Sequence, residues 1–427
     1  MLGAQMRPTS DAASRPQPTQ PFVLRLFRVL GPGFITGTSD DDPSAIGTYA
    51  QAGAQFGTLQ LWSALFLFPF MAAIQEMCGR IGAVTGRGLG SVIRLHYVKP
   101  VLYVIVFIQV LTNTINIGAD LSAMAQSAQL LWHVPYYVLL LAITVLTLAL
   151  VVLVPYHVYA FYLRFLGLAL LTYIVTAFTV KVDWLQVVRA TFAPSLRFDK
   201  AYWLNIVAVF GTTISSYEFF WQASQEVEEG VVATSGAMRF LRWDTIFGMF
   251  FSNLIMFFII LTAAFTLGKH GVGNIDTAAQ AAEMLRPLAG PATFVLFTVG
   301  IVSAGLLALP VLAGSSAYAI CDTFGWPCSL EKNFHQEPAF YRTIILSALL
   351  GLAINLLPIP PFKLLYYTAI LSGIIAPPLL FIVVQIAGSR KIMGAYVNSL
   401  GVNVMGWLLF AFMSLALVAL LVSLRSG

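Results

Sequence analysis

The stretch "GTSDDDPSAIGTYAQAGAQFG", Gly37 to Gly57, places three consecutive aspartates, Asp40, Asp41 and Asp42, directly before Pro43 in an otherwise apolar segment. An intramembrane carboxylate costs roughly 2.5–3.5 kcal/mol on insertion scales, so three together would not be carried without partners. Pro43 supplies a structural reason for them. It disfavours helical geometry at Asp42 and removes an N–H from the helix ladder. Gly33, Gly37 and Gly47 loosen the same segment. A break in a membrane helix leaves carbonyl oxygens free, which is tolerated where they line a cavity. Carboxylate and carbonyl oxygens together suit a hard cation.

The surrounding chain is that of a membrane protein. Of 427 residues, 59% are hydrophobic and only 10% charged, with a mean hydropathy of +0.84. Soluble domains average about 25% charged residues. Length alone would allow two or three soluble domains, but the apolar runs have the length of bilayer spans. The formal charge of +5 reflects loop arginines and lysines and gives no argument for nucleic acid. Cys78, Cys321 and Cys328 do not make a disulfide framework. Cys321 and Cys328 read as small apolar fillers, since no second pair or histidine stands beside them.

The tail 1–22, rich in Pro, Gln, Ser and Thr, reads as a disordered cytoplasmic segment. About eleven spans of bilayer length follow, near 31–54, 58–82, 101–131, 135–154, 157–180, 203–229, 240–268, 288–320, 341–357, 364–387 and 402–424. The third and eighth are over-long and are expected to include interfacial turns, and the ninth is short. More basic residues fall on the side of the N-terminus, among them Arg80, Arg87, Arg94, Arg239, Arg242, Arg390 and Lys391, which predicts a cytoplasmic N-terminus in the plasma membrane. The segment from Lys181 to Lys200 goes against that rule.

Span six carries a second polar interruption, "FGTTISSYEFFWQASQEVEE", Phe210 to Glu229. Gly211-Thr212-Thr213-Ile214-Ser215-Ser216 offers hydroxyl and carbonyl oxygens and no soft ligand. Serines and threonines in membrane helices commonly bond their own backbone or a neighbouring helix, but the run is long and Glu218 follows Ser215 by about one turn. Paired breaks at corresponding points of two halves mark a transporter built on an inverted repeat, with its site at the midplane. Repeat one would cover about 31–180, repeat two about 203–387, and 402–424 would be an extra helix.

The chain resembles the Nramp divalent-metal transporters. The resemblance is carried by Gly31-Pro32-Gly33-Phe34, Asp42-Pro43, Ala52-Gly53 through Gln55-Phe56-Gly57, Gln75 through Arg80, Gly82 and Val84-Thr85-Gly86-Arg87. It implies an all-α membrane protein of the LeuT type, a five-plus-five inverted repeat with helices one and six broken, and alternating access around a dehydrated ion. It also implies a metal ligand at Asp42. The family's asparagine ligand falls on Ala45, which has no side-chain donor. Its carbonyl ligand falls on Thr212 and its methionine sulfur on Ser215. The histidine tied to proton movement falls on Tyr217 and the following asparagine on Glu218. The span-three aspartate matches Asp120, the nearby glutamate falls on Ala123, and the span-ten glutamine falls near Thr368.

These departures predict hard-ion preference. A thioether favours softer metals, whereas carboxylates, hydroxyls, carbonyls and water suit Mg²⁺, Ca²⁺ and Mn²⁺. Mg²⁺ dehydrates reluctantly, and small residues at Ala45 and Ser215 leave room for its waters. The pattern resembles the Nramp-related magnesium transporters. The expected function is alternating-access transport of divalent cations, Mg²⁺ and Mn²⁺ foremost, with proton coupling weak or absent and no cofactor besides the transported ion. Asp40 and Asp41 are expected to hold the ion's water shell or to attract cations at the mouth. Asp120, Tyr217, Asn116 and Glu218 are candidates for a polar or proton path. Asn113 sits one turn from Asn116. Gln51, Gln75 and Gln109 read as path-lining or interhelical residues. Glu226, Glu228 and Glu229 read as a solvated helix end, and no histidine metal site is expected.

The alternatives are a proton-coupled Mn²⁺/Fe²⁺ symporter of the same family, an amino-acid transporter of the same fold, a Mg²⁺-dependent membrane prenyltransferase, and a channel. Three aspartates at the break would repel a substrate carboxylate. A prenyltransferase would need a second aspartate-rich motif and basic residues for the diphosphate. Saturable flux at a rate too low for a pore would separate a carrier from a channel.

Overall fold

The computed structural model describes residues 31–154, 158 and 167–426, and the tail 1–22 and the start of the fifth span lie outside them. The first span is two helices, α1 (Pro32–Ser39) and α2 (Pro43–Phe56). Asp42 between them is extended, φ −67° and ψ 170°, as a residue before proline prefers. Its side chain caps α2 by accepting from Ala45 N, and Pro43 occupies the first turn, where a missing N–H costs nothing.

Next come α3 (Trp62–Thr85), closed by Gly86 at φ +62°, and the short α4 (Leu89–His96). α5 (Lys99–Gln129), α6 (Tyr136–Leu153), α7 (Leu171–Thr179) and α8 (Trp184–Phe192) follow. The sixth span is again two helices, α9 (Lys200–Thr213) and α10 (Ser216–Glu228). The chain continues through α11 (Ser235–Phe265), α12 (Thr293–Phe324), α13 (Pro338–Ile354), α14 (Pro361–Ala387) and α15 (Leu400–Ser426).

Seven helical segments among the described residues are long and apolar enough to cross a membrane alone. The rest of the predicted spans are the two broken pairs, the seventeen-residue α13, and the fifth span, of which α7 is the described end. The third span departs from expectation. α5 is one continuous helix of 31 residues with no interfacial turn. At 1.5 Å per residue it is about 46 Å long and simply outruns a hydrocarbon core of about 30 Å. In the eighth span the turns lie before the helix, at 283–292, and the helix itself runs on to Phe324.

Small residues set how closely the broken helices dock. A Cβ on Gly37 would lie 2.3 Å from the Gly248 carbonyl, so α1 meets α11 backbone to backbone. A Cβ on Gly211 would lie 2.1 Å from Gly373 N, which seats α9 on α14 in the same way. Without a hydrophobic drive between helices in lipid, such close approach is what holds them. On the outside, Phe107, Leu153, Phe178 and Leu415 are well exposed, as a lipid-facing surface requires.

Candidate metal site

Asp42 is the best-positioned acid. Its Oδ1 accepts from Ala45 N at 2.7 Å and its Oδ2 from Asn116 Nδ2 at 3.0 Å. Asn116 Oδ1 in turn accepts from Thr368 Oγ1 at 3.0 Å, sharing that hydroxyl proton with Leu365 O at 2.7 Å. Three sequence-predicted residues from three helices, α2's cap, α5 and α14, therefore form one chain of hydrogen bonds. All three are buried. Ala45 contributes its backbone amide, which aims the carboxylate.

The second break sits beside the first. Tyr217 on α10 donates to Ser39 O at the end of α1, at 3.3 Å. Tyr217 therefore ties the two breaks together. Ile214 and Ser215 are non-helical, with ψ of 65° and 120°. Ser215 Oγ donates to Thr212 O at 2.6 Å and reaches Gly211 O at 3.4 Å. The hydroxyl thus satisfies the carbonyl left open by the break, and an arriving cation would compete with it for Thr212 O. A sulfur lies near this region: Thr213 Oγ1, bonded to Tyr49 OH at 2.8 Å and to Val209 O at 2.7 Å, also has Met256 Sδ at 3.6 Å. Neither belongs to the Asp42–Asn116–Thr368 chain.

The three aspartates do not act as one patch. Asp40 turns to α11, where its Oδ2 accepts from Ser252 Oγ at 2.7 Å. Asp41 makes no hydrogen bond through either oxygen. Both are fully buried, so neither stands at an open mouth. Asp120 is buried near the Ser44 amide, without a regular hydrogen bond of its own. Glu218 is held by Gln75 Nε2. Among the described residues, no three Asp, Glu, His or Cys side chains converge as a metal-binding group. Any ion at Asp42 would therefore rely on one oriented carboxylate, with hydroxyl, amide and carbonyl oxygens around it.

Other predicted residues resolve into packing. Asn113 bonds Gln109, Leu312 O and Ser316, gluing α5 to α12 rather than facing the Asp42 chain. Glu226 and Glu228 are not solvated. Glu226 is buried and accepts from Gln222 Nε2 at 2.8 Å, and Glu228 accepts from Tyr318 OH and Leu330 N. Cys321 is buried in α12, and burial pushes the Cys328 thiol well up, which disfavours the metal-binding thiolate. Residues missed by the sequence reading include Thr36 and Gln222, bonded at 2.6 Å between α1 and α10. The signal was present: Glu218, Gln222 and Glu226 recur every four residues, one face of a helix.

A helical bundle with two broken helices meeting at a buried polar centre defines a membrane carrier of the LeuT type. The chain matches the family described as "Natural resistance-associated macrophage protein-like" over residues 33–423, and it belongs to that Nramp family. It is 26% identical over 405 residues to the "Divalent metal cation transporter MntH" of Deinococcus radiodurans, covering 91% of this chain and 88% of that protein. It is 25% identical over 402 residues to "Metal transporter Nramp3" of Oryza sativa subsp. japonica, covering 90% and 71%. Its fold is similar to that of the Eremococcus coleocola manganese transporter solved with an aromatic bis-isothiourea compound, at a TM-score of 0.73 and 17% identity over 98% and 90% of the two chains. It also resembles Mhp1, a nucleobase-cation-symport-1 family transporter, at a TM-score of 0.58 and 14% identity over 92% and 91%.

Proposed function

We propose that this protein carries divalent metal cations across the plasma membrane by alternating access, with hard ions, Mg²⁺ and Mn²⁺, preferred and proton coupling weak or absent. The observation that supports this most directly is the Asp42 carboxylate, aimed by Ala45 N and Asn116 and set beside two helix breaks. The candidate donors Asp42, Thr212, Ser215 and Thr368 are all oxygens, which favours hard ions over soft ones. Small side chains at Ala45 and Ser215 leave room for retained water. Asp40, Asp41, Glu218 and Asp120 are further buried acids of the same two breaks and of α5. Access would alternate about two buried closures. On one side Thr36 bonds Gln222. On the other, Leu365 would lie 3.2 Å from a Cβ on Gly47. The excess of basic residues on the N-terminal side supports a cytoplasmic N-terminus.

The test is ion flux into liposomes. Asp42→Ala should abolish Mn²⁺ and Mg²⁺ uptake, and Ser215→Met should gain Cd²⁺ uptake by supplying a thioether. Normal transport by Asp42→Ala would overturn the site. Metal uptake should leave the lumenal pH unchanged. Robust metal-driven acidification would replace the uncoupled carrier with the proton-coupled symporter.

A further inference from the structure

Beyond the buried site lies a chamber, on the side of Lys363, where α2, α14 and the segment 271–277 meet. Its volume is about 240 Å³, and Gln51, Gln55, Asn274, Asp276, Lys363 and Tyr367 are among the residues that line it. One water needs roughly 10–15 Å³ of such space, so a cation with its full water shell fits. Gly47 and Phe362 form part of its wall. Gly47 is five residues along α2 from Asp42, about 7.5 Å at 1.5 Å per residue, and Leu365 closes on it.

The segment above the chamber is latched from below. Gln51 Nε2 donates to Gly273 O at 2.9 Å and to Asn274 Oδ1 at 3.2 Å, while Gln51 Oε1 accepts from Ile275 N at 2.8 Å. This places the Asp276 carboxylate at the chamber, where it pairs with Lys363 Nζ at 3.2 Å. Both side chains are about half exposed, 46% and 48%. An ion pair so exposed is weak and exchangeable. The chamber thus offers one carboxylate, several amide oxygens and a lysine that can swing away.

We propose that this chamber is an outer station that binds a hydrated divalent cation through its water shell, with Asp276 as the charged anchor and Lys363 as the group the ion displaces. The station would hold the ion before dehydration and passage to Asp42. It builds on the metal-transport reading of the buried site.

Cobalt(III) hexammine tests it, because its ammine shell stands in for a water shell and cannot be stripped. Calorimetric titration of the full-length protein at low ionic strength is expected to show binding to wild type and equally to Asp42→Ala. Asp276→Asn should weaken binding about 5-fold and Lys363→Gln should strengthen it by a similar factor. Opposite signs matter, since mere loss of a structural ion pair would move both variants the same way. No binding to wild type, or equal binding by wild type, Asp276→Asn and Lys363→Gln, overturns the station. Divalent flux without hexammine binding would sink the station and leave the transport reading standing. Hexammine binding without divalent flux would do the reverse.

Discussion

Asn116→Leu should weaken metal uptake about tenfold without unfolding the protein. Asn116 is the middle of the Asp42–Asn116–Thr368 chain, with both hydrogen bonds at 3.0 Å. Leucine keeps the volume and removes both polar atoms. A hydrogen bond to a charged group contributes about 1.5–3 kcal/mol and a neutral one about 0.5–1.5 kcal/mol. Part of the loss is shared by the ion-free state, where the carboxylate keeps Ala45 N and can turn. We therefore take the lower end, about 1.5 kcal/mol, which is about tenfold in half-saturation. Thr368→Val alone should cost about 1 kcal/mol, about 5-fold. Once Asn116 is gone, Thr368 has nothing left to orient, so the double variant should match Asn116→Leu alone. The assay is Mn²⁺-dependent quenching of a trapped fluorophore in liposomes, with thermal unfolding in detergent as the control for folding. A half-saturation within twofold of wild type would refute the orienting role. Fully additive losses in the double variant would refute the chain, because independent sites add and members of one network do not.

Two further expectations concern the docking of α1. Asp244 on α11 accepts from Gly31 N and Gly33 N, each at 2.8 Å, and from Phe34 N at 3.3 Å, so it supplies the N-terminal cap that Gly31 cannot. Asp244→Asn should loosen α1 by about 1 kcal/mol and speed amide exchange across residues 33–39, and unchanged exchange there would show that α1 is held otherwise. Gly248→Ala puts a methyl 2.3 Å from Gly33 O, an overpacking of about 1–3 kcal/mol, and should lower the unfolding temperature by several degrees and impair transport; wild-type behaviour in both would mean that the backbone contact is dispensable.

Both helix breaks could be read from the sequence because each has a local cause. Pro43 forces the first, and the Gly211–Ser216 polar run announces the second. Asn116 stood out as one of two amides one turn apart on an apolar helix. Its partner Thr368 was reached through the family resemblance, since nothing local marks one threonine in α14. The directions of Asp40 and Asp41 were not legible, because consecutive residues at a break follow no periodicity; only the packing of α11 sends Asp40 to Ser252. Glu226 misled for a different reason. A glutamate cluster at a helix end reads as solvated, but Gly79 and Gly82 let α10 approach α3 so closely that a Cβ on Gly82 would lie 2.1 Å from Ala223 O. That contact buries Gln222 and Glu226 together, and the amide supplies the hydrogen bond that burial demands.

The arrangement of acids bears on how an ion would be selected. A site made of three converging carboxylates would hold a divalent ion tightly and strip its water. Here the three neighbouring aspartates diverge, and only Asp42 has both oxygens engaged by donors that fix its direction. One fixed carboxylate supplies too little ligand charge to replace the whole shell of Mg²⁺, which gives up water reluctantly. An ion bound at Asp42 would then keep part of its shell, met by the Thr368, Ser215 and Thr212 oxygens through water or directly. Asp40 and Asp41, both buried and outside the Asp42–Asn116–Thr368 chain, would not choose among divalent cations. Selection would fall to the donors at the two breaks, which is why the single change Ser215→Met, and not removal of Asp40 or Asp41, is expected to alter which metal passes.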